Sequence, residues 1–262
     1  MPELLTVTHR RHVTPNMIRV TLSGIDLPPA TAGAHCKVML PEPGESRGAF
    51  ATRLGGEGPA PVRRTYTVRH ARPETGEIDI DFVDHGDTGP ASAFARRAAP
   101  GDPMGFAGPG APKLVDFDAA FYLIAADMSA LPVAAAALEA LPRDACGLAF
   151  LEVTTEGDRQ EIDAPDGVEI RWLIHPDPHV PSPAQENAIR AMVPPARPIR
   201  TMIAGETGTV RALRLLTRGE MGVDRRMSYA SGYWRIGMAE DAHQQVKRAE
   251  SEADEAKLAG AV

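Results

Sequence analysis

The pattern of apolar and polar residues changes near residue 112. Before that point, short segments alternate apolar and polar side chains, which is typical of half-buried β-strands. These segments lie at residues 5–8, 17–22, 38–40, 65–69 and 77–83. Gly and Pro residues separate them, so the pattern predicts a barrel of short strands.

Two stretches of this first part differ from the strands. Residues 41–62 are rich in Gly, Pro and Glu, have little periodicity and include Arg47 and Arg53. We expect a long loop there, which is either functional or disordered. Residues 91–98 predict a short helix after Pro90, and residues 100–102 end it and begin a further strand.

From residue 113 onward, apolar runs of strand length alternate with helical segments. The predicted strands are residues 120–125, 148–153, 169–173 and 201–204, and the predicted helices are residues 131–141, 184–192 and 208–217. This alternation predicts a parallel sheet with helices on its faces. The Gly/Pro cluster at 108–112 is the expected boundary between domains 1–112 and 113–262. The charged segment 238–258 predicts a surface helix, with partner binding as an alternative.

Composition excludes several classes of function. A formal net charge of -7 argues against a nucleic-acid-binding protein. Cys36 and Cys146 lack C-x-x-C spacing, so neither an iron–sulfur cluster nor a zinc site is expected, and both thiols are predicted to be reduced and buried. The sequence begins without a secretion signal and has no apolar run long enough to span a bilayer. We therefore expect a soluble cytoplasmic protein that does not associate with membranes.

Two segments have the residue types that a flavin dinucleotide requires. Residues 64–67 (RTYT) combine an arginine that can clamp a diphosphate, an aromatic face and hydroxyls, and residues 85–92 (HGDTGPAS) form a turn of small residues. Such a turn lets backbone N–H groups approach phosphate, and the following helix would point its positive end at the ligand. The alternatives are a solvent-facing arginine with a core tyrosine, and a plain helix cap.

Five blocks resemble, in their order, the siderophore-interacting protein family of ferric-siderophore reductases in the ferredoxin-reductase superfamily. They are RTYTVR (64–69), DHGDTGPASAFA (84–95), PGD (100–102), AGP (107–109) and GYWRIG (232–237). The resemblance implies an N-terminal antiparallel six-stranded FAD-binding β-barrel. It also implies that a Rossmann-like, NAD(P)H-binding parallel-sheet domain follows the barrel.

The resemblance also assigns FAD contacts. Arg64 would bind the diphosphate, Tyr66 would pack on the isoalloxazine, and Thr67 would lie near its redox-active nitrogen. The whole implied FAD set is Arg64, Tyr66, Thr67, Val68, His85, Gly89, Ala91 and Ser92. Arg63 and Arg69 are left out of this set, because surface arginines on strands are common and need no ligand. No catalytic side chain is implied, because the flavin supplies the chemistry.

The nicotinamide nucleotide is expected at residues 127–132 (DMSALP), where the family reads D-E-T-A-L-P. Met128 and Ser129 replace the usual acidic residue and threonine. The implied NAD(P)H set is Asp127, Ser129, Ala130, Leu131 and Glu206. No G-x-G-x-x-G motif follows the strand, so we expect an exchangeable nucleotide. Arg211, Arg214 and Arg218 form either a phosphate-binding face or, as the favoured interpretation, a row of solvated charges.

The implied substrate is a ferric siderophore. Lys37 and Arg235 would form a small cationic patch that attracts an anionic ferric complex. Tyr233 and Trp234 either cover the flavin pocket or anchor the end of the chain to the sheet.

The expected activity is that of an NAD(P)H:ferric-siderophore oxidoreductase, acting as a monomer. It would release Fe(II), because hard oxygen donors hold that ion more weakly than Fe(III). Three alternatives stay open: a flavin-dependent reductase with another acceptor, ferredoxin as the electron donor, and a siderophore-binding module without catalysis.

Overall fold

A computed structural model describes residues 2–27, 31–112, 118–193 and 195–238 of the chain. The chain divides into two compact units, one up to residue 115 and the other covering most of the chain from residue 116. Because residues 113–117 lie outside the described ranges, the boundary at residue 112 stays a prediction. The helix predicted for 238–258 also lies outside them, apart from its first residue.

The first unit is a closed barrel of six antiparallel strands with two helices. Its elements are β1 (Glu3–Thr14), β2 (Met17–Ser23), β3 (His35–Leu40), α1 (Arg47–Leu54), β4 (Val62–Arg72), β5 (Glu77–Val83), α2 (Pro90–Arg97) and β6 (Pro103–Ala107). Around the barrel the strands follow the order β1-β2-β5-β4-β3-β6. The predicted barrel is confirmed.

Two buried carboxylates, Asp81 and Asp79, pair with basic residues on neighbouring barrel strands. Arg19 on β2 contacts Asp81 on β5 through bonds of 2.6 and 2.8 Å. Asp79 on β5 bonds to His70 at 2.9 Å and to Arg72 at 2.9 and 3.0 Å. Burial alone would raise the pKa of Asp79, but its hydrogen bonds to these β4 side chains hold that pKa well below its usual value. These pairs satisfy charges that burial would otherwise penalise.

The predicted loop 41–62 contains a helix, α1, so the expectation of a loop throughout was wrong. The Ser46 hydroxyl caps the helix by accepting from the backbone N–H of Ala49 at 3.2 Å. Phe50 is fully buried, and the Arg53 guanidinium bonds to Glu45 at 2.7 and 2.8 Å. One buried aromatic residue therefore anchors a helix that shows no apolar periodicity in sequence.

The second unit is a parallel sheet of five strands with helices. Its elements are β7 (Phe121–Ala126), α3 (Leu131–Ala140), β8 (Gly147–Val153), β9 (Val168–Ile174), α4 (Ala184–Ala191), β10 (Ile199–Glu206), α5 (Thr207–Arg214) and β11 (Ser228–Trp234). The strand order is β11-β10-β7-β8-β9, so the direction of winding reverses between β7 and β10. Ligands of open α/β sheets bind at such a switch point, at the carboxyl ends of the strands. The predicted parallel sheet is confirmed.

Several local expectations for the second unit were wrong. Strand β11 was not predicted, because its Ser- and Gly-containing sequence lacks an apolar run. Helix α5 ends at Arg214 and continues as a π-helix, Leu215–Glu220, and Arg214 itself is buried, not solvated. Cys146 is exposed, since it lies in the turn just before β8.

Arg69 and Cys36 are both buried in the first unit. Arg69 is buried on β4, so the rule that surface arginines need no ligand does not apply to it. Cys36 is buried as expected, and burial raises the pKa of its thiol to about 12. None of the helices in the described ranges combines the length and apolarity that crossing a membrane requires.

Candidate functional site

Strand β4 presents its predicted FAD residues on both of its sides. Because side chains alternate along a strand, Arg64, Tyr66 and Val68 share one side and Thr67 lies on the other. Val68 is fully buried in the barrel core, and Tyr66 is half-buried, with its ring centroid 4.4 Å from that of Phe82. The side chains of Tyr66 and Arg64 therefore leave the strand on the same side.

The predicted β4 residues differ in what they can offer a ligand. The Val68 N–H donates to Ala34 O at 2.9 Å, and its carbonyl accepts from Gly33 N at 2.8 Å. Val68 thus has neither an exposed side chain nor a spare backbone group, and it supports the strand from within the core. Thr67 is also buried, whereas Arg64 is half-buried.

The turn after β5 is organised by Asp84, which the sequence analysis did not single out. Its Oδ1 accepts from Gly86 N at 3.0 Å, from Arg96 at 3.1 Å and from the Ser92 hydroxyl at 3.4 Å. Burial alone would raise the pKa of Asp84, but the bonds from Gly86 and Arg96 hold it below its usual value. An aspartate that bonds the backbone two residues on is a recognised turn signal, and it could have identified this residue.

The start of α2 fits a diphosphate. Gly89 is the N-cap residue and provides no side-chain cap, and Pro90 follows it. The N–H groups of Ala91 and Ser92 lie in the first turn, where a helix supplies no acceptor for them. A Cβ on Gly89 would lie 2.6 Å from Cε1 of His85, so a larger residue there would have to displace the exposed imidazole. Backbone donors and the helix dipole make such a terminus suited to an anion.

The structure places the two predicted parts of the FAD site on one core. Ala91 and Phe94 of α2 belong to the same buried cluster as Val68 and Phe82, and Tyr66 packs against that cluster. The Ser92 hydroxyl accepts from His85 N at 3.2 Å, which fixes the turn against the helix. The two segments predicted to contact FAD, which are separate in sequence, are thus parts of one compact unit.

Asp127 lies at the carboxyl end of β7, beside the switch point. Its carboxylate accepts five hydrogen bonds, from the Ser129 N–H at 2.9 Å, the Ser129 hydroxyl at 2.6 Å, Ala130 N at 3.3 Å, Glu206 N at 2.7 Å and Trp234 Nε1 at 2.7 Å. Burial raises the pKa of Asp127, and the donors counteract that effect. A carboxylate has about four lone-pair sites, so this one is fully occupied by the protein.

The other predicted nucleotide residues surround this carboxylate. Glu206 ends β10 and caps α5, since its Oε2 accepts from Thr209 N at 2.8 Å. Leu131 is buried at the first turn of α3. Asp127, Ser129, Ala130 and Glu206 are therefore brought together, while the Leu131 side chain belongs to the core.

The aromatic pair near the end of the described chain belongs to β11. Trp234 bonds to Asp127 through its indole N–H, and its carbonyl accepts from the Thr207 hydroxyl at 2.8 Å. Of the two roles considered, the geometry of Trp234 matches the anchor. Thr207 was missed in the sequence because a hydroxyl that bonds a distant carbonyl leaves no local pattern.

The two predicted substrate residues belong to different units. Lys37 lies on β3, and its Nζ donates to the hydroxyl of Thr65 on the neighbouring strand. Arg235 follows β11 directly and is half-buried. The patch that would combine them stays a prediction.

Gln185 on α4 and Glu152 on β8 make further polar contacts with β7, β8 and the segment before α4. The buried Gln185 amide donates to the carbonyls of Ala126 at 2.9 Å and Phe150 at 3.3 Å. Glu152 accepts from the Ser182 hydroxyl at 2.6 Å, and burial raises the pKa of its carboxyl. Both residues brace the edge of the sheet at which the nucleotide is expected, and the acidic end of β8 was the signal that could have indicated Glu152.

Comparison with known proteins gives two matches to protein families. The siderophore-interacting FAD-binding domain matches residues 6–113, and the siderophore-interacting protein family matches residues 119–237. Ferric vibriobactin reductase ViuB of Vibrio cholerae is 36% identical over 251 residues, which cover 92% of each chain.

Two further relatives agree with these matches. The crystal structure of the siderophore-interacting protein SipS from Aeromonas hydrophila superposes with a TM-score of 0.81 at 34% identity, covering 96% of this chain and 98% of that one. The NADPH-dependent ferric-chelate reductase of Escherichia coli is 29% identical, covering 88% of this chain and 91% of that protein. The two family matches together cover nearly the whole sequence, and the relative from Vibrio cholerae covers 92% of it at 36% identity. We conclude that this chain belongs to the siderophore-interacting protein family.

Proposed function

We propose that the chain is an FAD-dependent ferric-siderophore reductase that uses NADH or NADPH as its electron donor. The observation that carries the proposal is the open N-terminus of α2 at Gly89, which packs on the same core as Tyr66 in a chain of this family. The relatives from Vibrio cholerae and Escherichia coli are both named as ferric reductases.

In this proposal the barrel residues hold the cofactor by distinct groups. The Arg64 guanidinium and the N–H groups of Ala91 and Ser92 bind the diphosphate, since each donates to phosphate oxygen. Tyr66 packs its exposed face on the ring, Thr67 contacts the ring edge through its backbone, and His85 shields the turn. Val68 keeps the strand in place from the core. FAD, when bound, supplies the exchange between a two-electron donor and a one-electron acceptor.

The second unit would bind the nucleotide and orient it. Asp127, Ser129, Ala130 and Glu206 shape the switch point at which α/β sheets receive their ligands. Leu131 packs beneath them as part of the core. Lys37 and Arg235 attract the ferric complex by charge, and the weaker hold of hard oxygen donors on Fe(II) favours release of the reduced ion.

The remaining expectations are part of the same proposal. Residues 1–112 form the FAD-binding domain and residues 113–262 the nucleotide-binding domain. The protein acts as a monomer in the cytoplasm, where NADH and NADPH are available. Light scattering of the purified protein would give its mass in solution, and a value twice that of one 28.0 kDa chain would contradict the monomer.

The test combines a spectrum with an iron assay. The purified protein should show flavin absorbance at about 450 nm. That absorbance should fall when NADH or NADPH is added without oxygen, and it should return when a ferric siderophore is added, with Fe(II) captured by a coloured chelator. Arg64→Ala should lose bound FAD, whereas Arg143→Ala, which only breaks an exposed pair with Asp163, should retain it.

Other results would replace the proposal. Bleaching by the nucleotide without Fe(II) formation would indicate another acceptor. Bleaching only by reduced ferredoxin would indicate a different donor. A colourless protein that binds the ferric complex would be a binding module and not a reductase.

A further inference from the structure

Arg235 is the predicted substrate contact whose surroundings the structure describes most fully. The residue before it, Trp234, bonds through its indole to Asp127 at 2.7 Å and through its carbonyl to the Thr207 hydroxyl at 2.8 Å. These two partners come from the loop after β7 and from the start of α5. The chain is therefore fixed immediately before Arg235 by side chains from two other elements.

The chain is also held immediately after Arg235. The N–H of Ile236 donates to Oε1 of Glu206 at 3.4 Å, and the N–H of Met238 donates to the Arg235 carbonyl at 3.1 Å. Gly237 has a φ of 73°, which permits the tight turn that this last bond closes. Both neighbours of Arg235 are thus tied to the carboxyl edge of the sheet.

The backbone is shaped to allow these contacts. A Cβ on Gly205 would lie 2.5 Å from Oδ2 of Asp127, and a Cβ on Gly232 would collide with the hydroxyl of Thr207. Each glycine lies where a side chain would push away one partner of Trp234. The contacts on Trp234 therefore depend on close packing that only glycine permits at these two positions.

Asp127 itself has no acceptor capacity left for a ligand. Its five donors, all within the protein, exceed the roughly four lone-pair sites of a carboxylate. A hydroxyl or amide of a bound nucleotide would have to displace one of them. The carboxylate therefore contributes to the site by fixing the positions of the residues that donate to it, such as Glu206 and Trp234.

We infer that Asp127 and Trp234 are positioning residues that fix Arg235 for contact with the ferric siderophore. The inference rests on the proposed function, which assigns that contact to Arg235. Binding a ligand through an arginine on a mobile segment orders both the backbone and the side chain, and each ordering costs free energy. When the backbone on both sides is already fixed, less freedom is lost when the guanidinium meets an anionic ligand.

The test is the dissociation constant of a ferric catecholate complex, measured by calorimetry on the oxidised, FAD-loaded protein. Trp234→Phe keeps an aromatic ring and removes only the indole donor. We expect it to raise Kd several-fold and at most about tenfold, because the lost bond limits how much the prior ordering of Arg235 can contribute to binding. The rate of flavin reduction by NADPH should change less than Kd does. Trp172→Phe, the same replacement at the other tryptophan, is the matched control and should leave Kd at the wild-type value.

A double-variant cycle shows whether Trp234 acts through Arg235. Arg235→Ala should raise Kd, and Trp234→Phe combined with Arg235→Ala should raise it no further than Arg235→Ala does alone. Asp127→Asn provides a second route, because its amide nitrogen would face the indole N–H and break the same bond. Circular dichroism and the melting temperature would show whether each variant is folded.

The inference is overturned if Trp234→Phe and Asp127→Asn are folded and bind the complex as tightly as wild type. It is equally overturned if the effects of Trp234→Phe and Arg235→Ala add in full. Failure of the proposed function has a different signature, because then the wild-type protein itself neither binds nor reduces the complex, and the inference falls with it.

Discussion

Gly205→Ala should strongly destabilise the second unit, because Gly205 lies where Asp127 needs room. The glycine has a φ of 141°, a conformation that costs residues with a Cβ about 1–3 kcal/mol. The new Cβ would also lie 2.5 Å from Oδ2 and 2.6 Å from Cγ of Asp127, where ordinary contact begins at 3.4 Å. The carboxylate would have to move by about 1 Å, the difference between contact distance and 2.5 Å.

That movement would disturb the two bonds on the same carboxylate oxygen. Oδ2 accepts from Glu206 N and from Trp234 Nε1, each at 2.7 Å. A hydrogen bond to a charged group contributes about 1.5–3 kcal/mol, and partial re-formation would recover some of that loss. Together with the backbone strain, we expect the free energy of unfolding to fall by about 4 kcal/mol.

Urea unfolding followed by tryptophan fluorescence measures the free energy of unfolding of the second unit, which contains Gly205. Both tryptophans, Trp172 on β9 and Trp234 on β11, belong to the second unit. Gly222→Ala is the control, because its φ of 65° is also positive but the nearest atoms to its Cβ are 3.9 Å away. That change should cost about 1 kcal/mol through backbone strain alone.

Two results would refute this reasoning. One is a Gly205→Ala variant that is no less stable than Gly222→Ala, since the close approach to Asp127 would then have no consequence. The other is a cost for Gly205→Ala that is unchanged when Asp127 is already alanine. In that background the steric conflict is gone, and only the strain of the positive φ should remain.

Three further predictions concern the barrel. Because hydrogen bonds hold the pKa of Asp79 well below its unfolded value of about 3.9, this residue stabilises the fold above that pH and the contribution is lost as pH falls. Asp79→Asn should lower stability at pH 7 by about 2 kcal/mol, allowing for the partial exposure of Arg72, and should flatten the acid part of a stability–pH curve. Gly89→Val should weaken FAD binding about tenfold or more in a fluorescence titration, because its branched side chain would stand at the N-cap of α2, beside the N–H groups of Ala91 and Ser92, and would displace His85. Gly105→Val should loosen α1 and speed proteolysis within residues 41–62, since even a Cβ there lies 2.6 Å from Leu54.

Controls for these variants come from the same chain. Asp163→Asn breaks an exposed pair with Arg143 and should leave acid stability nearly unchanged. Gly48→Ala introduces a Cβ with no atom within 4 Å and should retain FAD affinity. The argument for Asp79 would be contradicted if Asp79→Asn had the wild-type dependence of stability on acid pH. Unchanged FAD affinity in Gly89→Val and an unchanged rate of proteolysis in Gly105→Val would contradict the other two arguments.

Local sequence patterns predicted most of the elements, because burial imposes a period of two on the barrel strands and apolar runs on the parallel strands. The sequence pattern did not predict helix α1, because Phe50 is its only buried residue. The pattern also did not predict strand β11. Gly232 is the only buried position of that strand, so its sequence contains no apolar run. Elements that tertiary contacts hold through one or two residues leave little trace in periodicity.

The candidate sites divide in the same way. The turn before α2 is local, so its motif indicated His85, Gly89 and Ser92 together. The bonds on Asp127 are not local, since Glu206 is 79 residues away and Trp234 is 107 residues away. A single sequence has no pattern for such partners. The motif around Asp127 was therefore recognised, while the inward direction of its carboxylate was not.

That inward direction explains why the nucleotide should bind weakly. The N–H groups of Ser129 and Ala130 stand at the start of α3, where a phosphate would ordinarily be bound, and both donate to Asp127. A carboxylate thus already lies beside the positive end of the helix and takes up the two N–H groups that precede its first residue, Leu131. Neither helix is capped by the side chain of its N-cap residue, but near α2 the carboxylate of Asp84 accepts from Gly86 N, the Ser92 hydroxyl and Arg96 instead of from the helix start. We therefore expect equilibrium dialysis to give NADPH a much larger Kd than FAD, as an exchanging electron donor requires; equally tight binding of both would show that Asp127 releases these donors to the nucleotide.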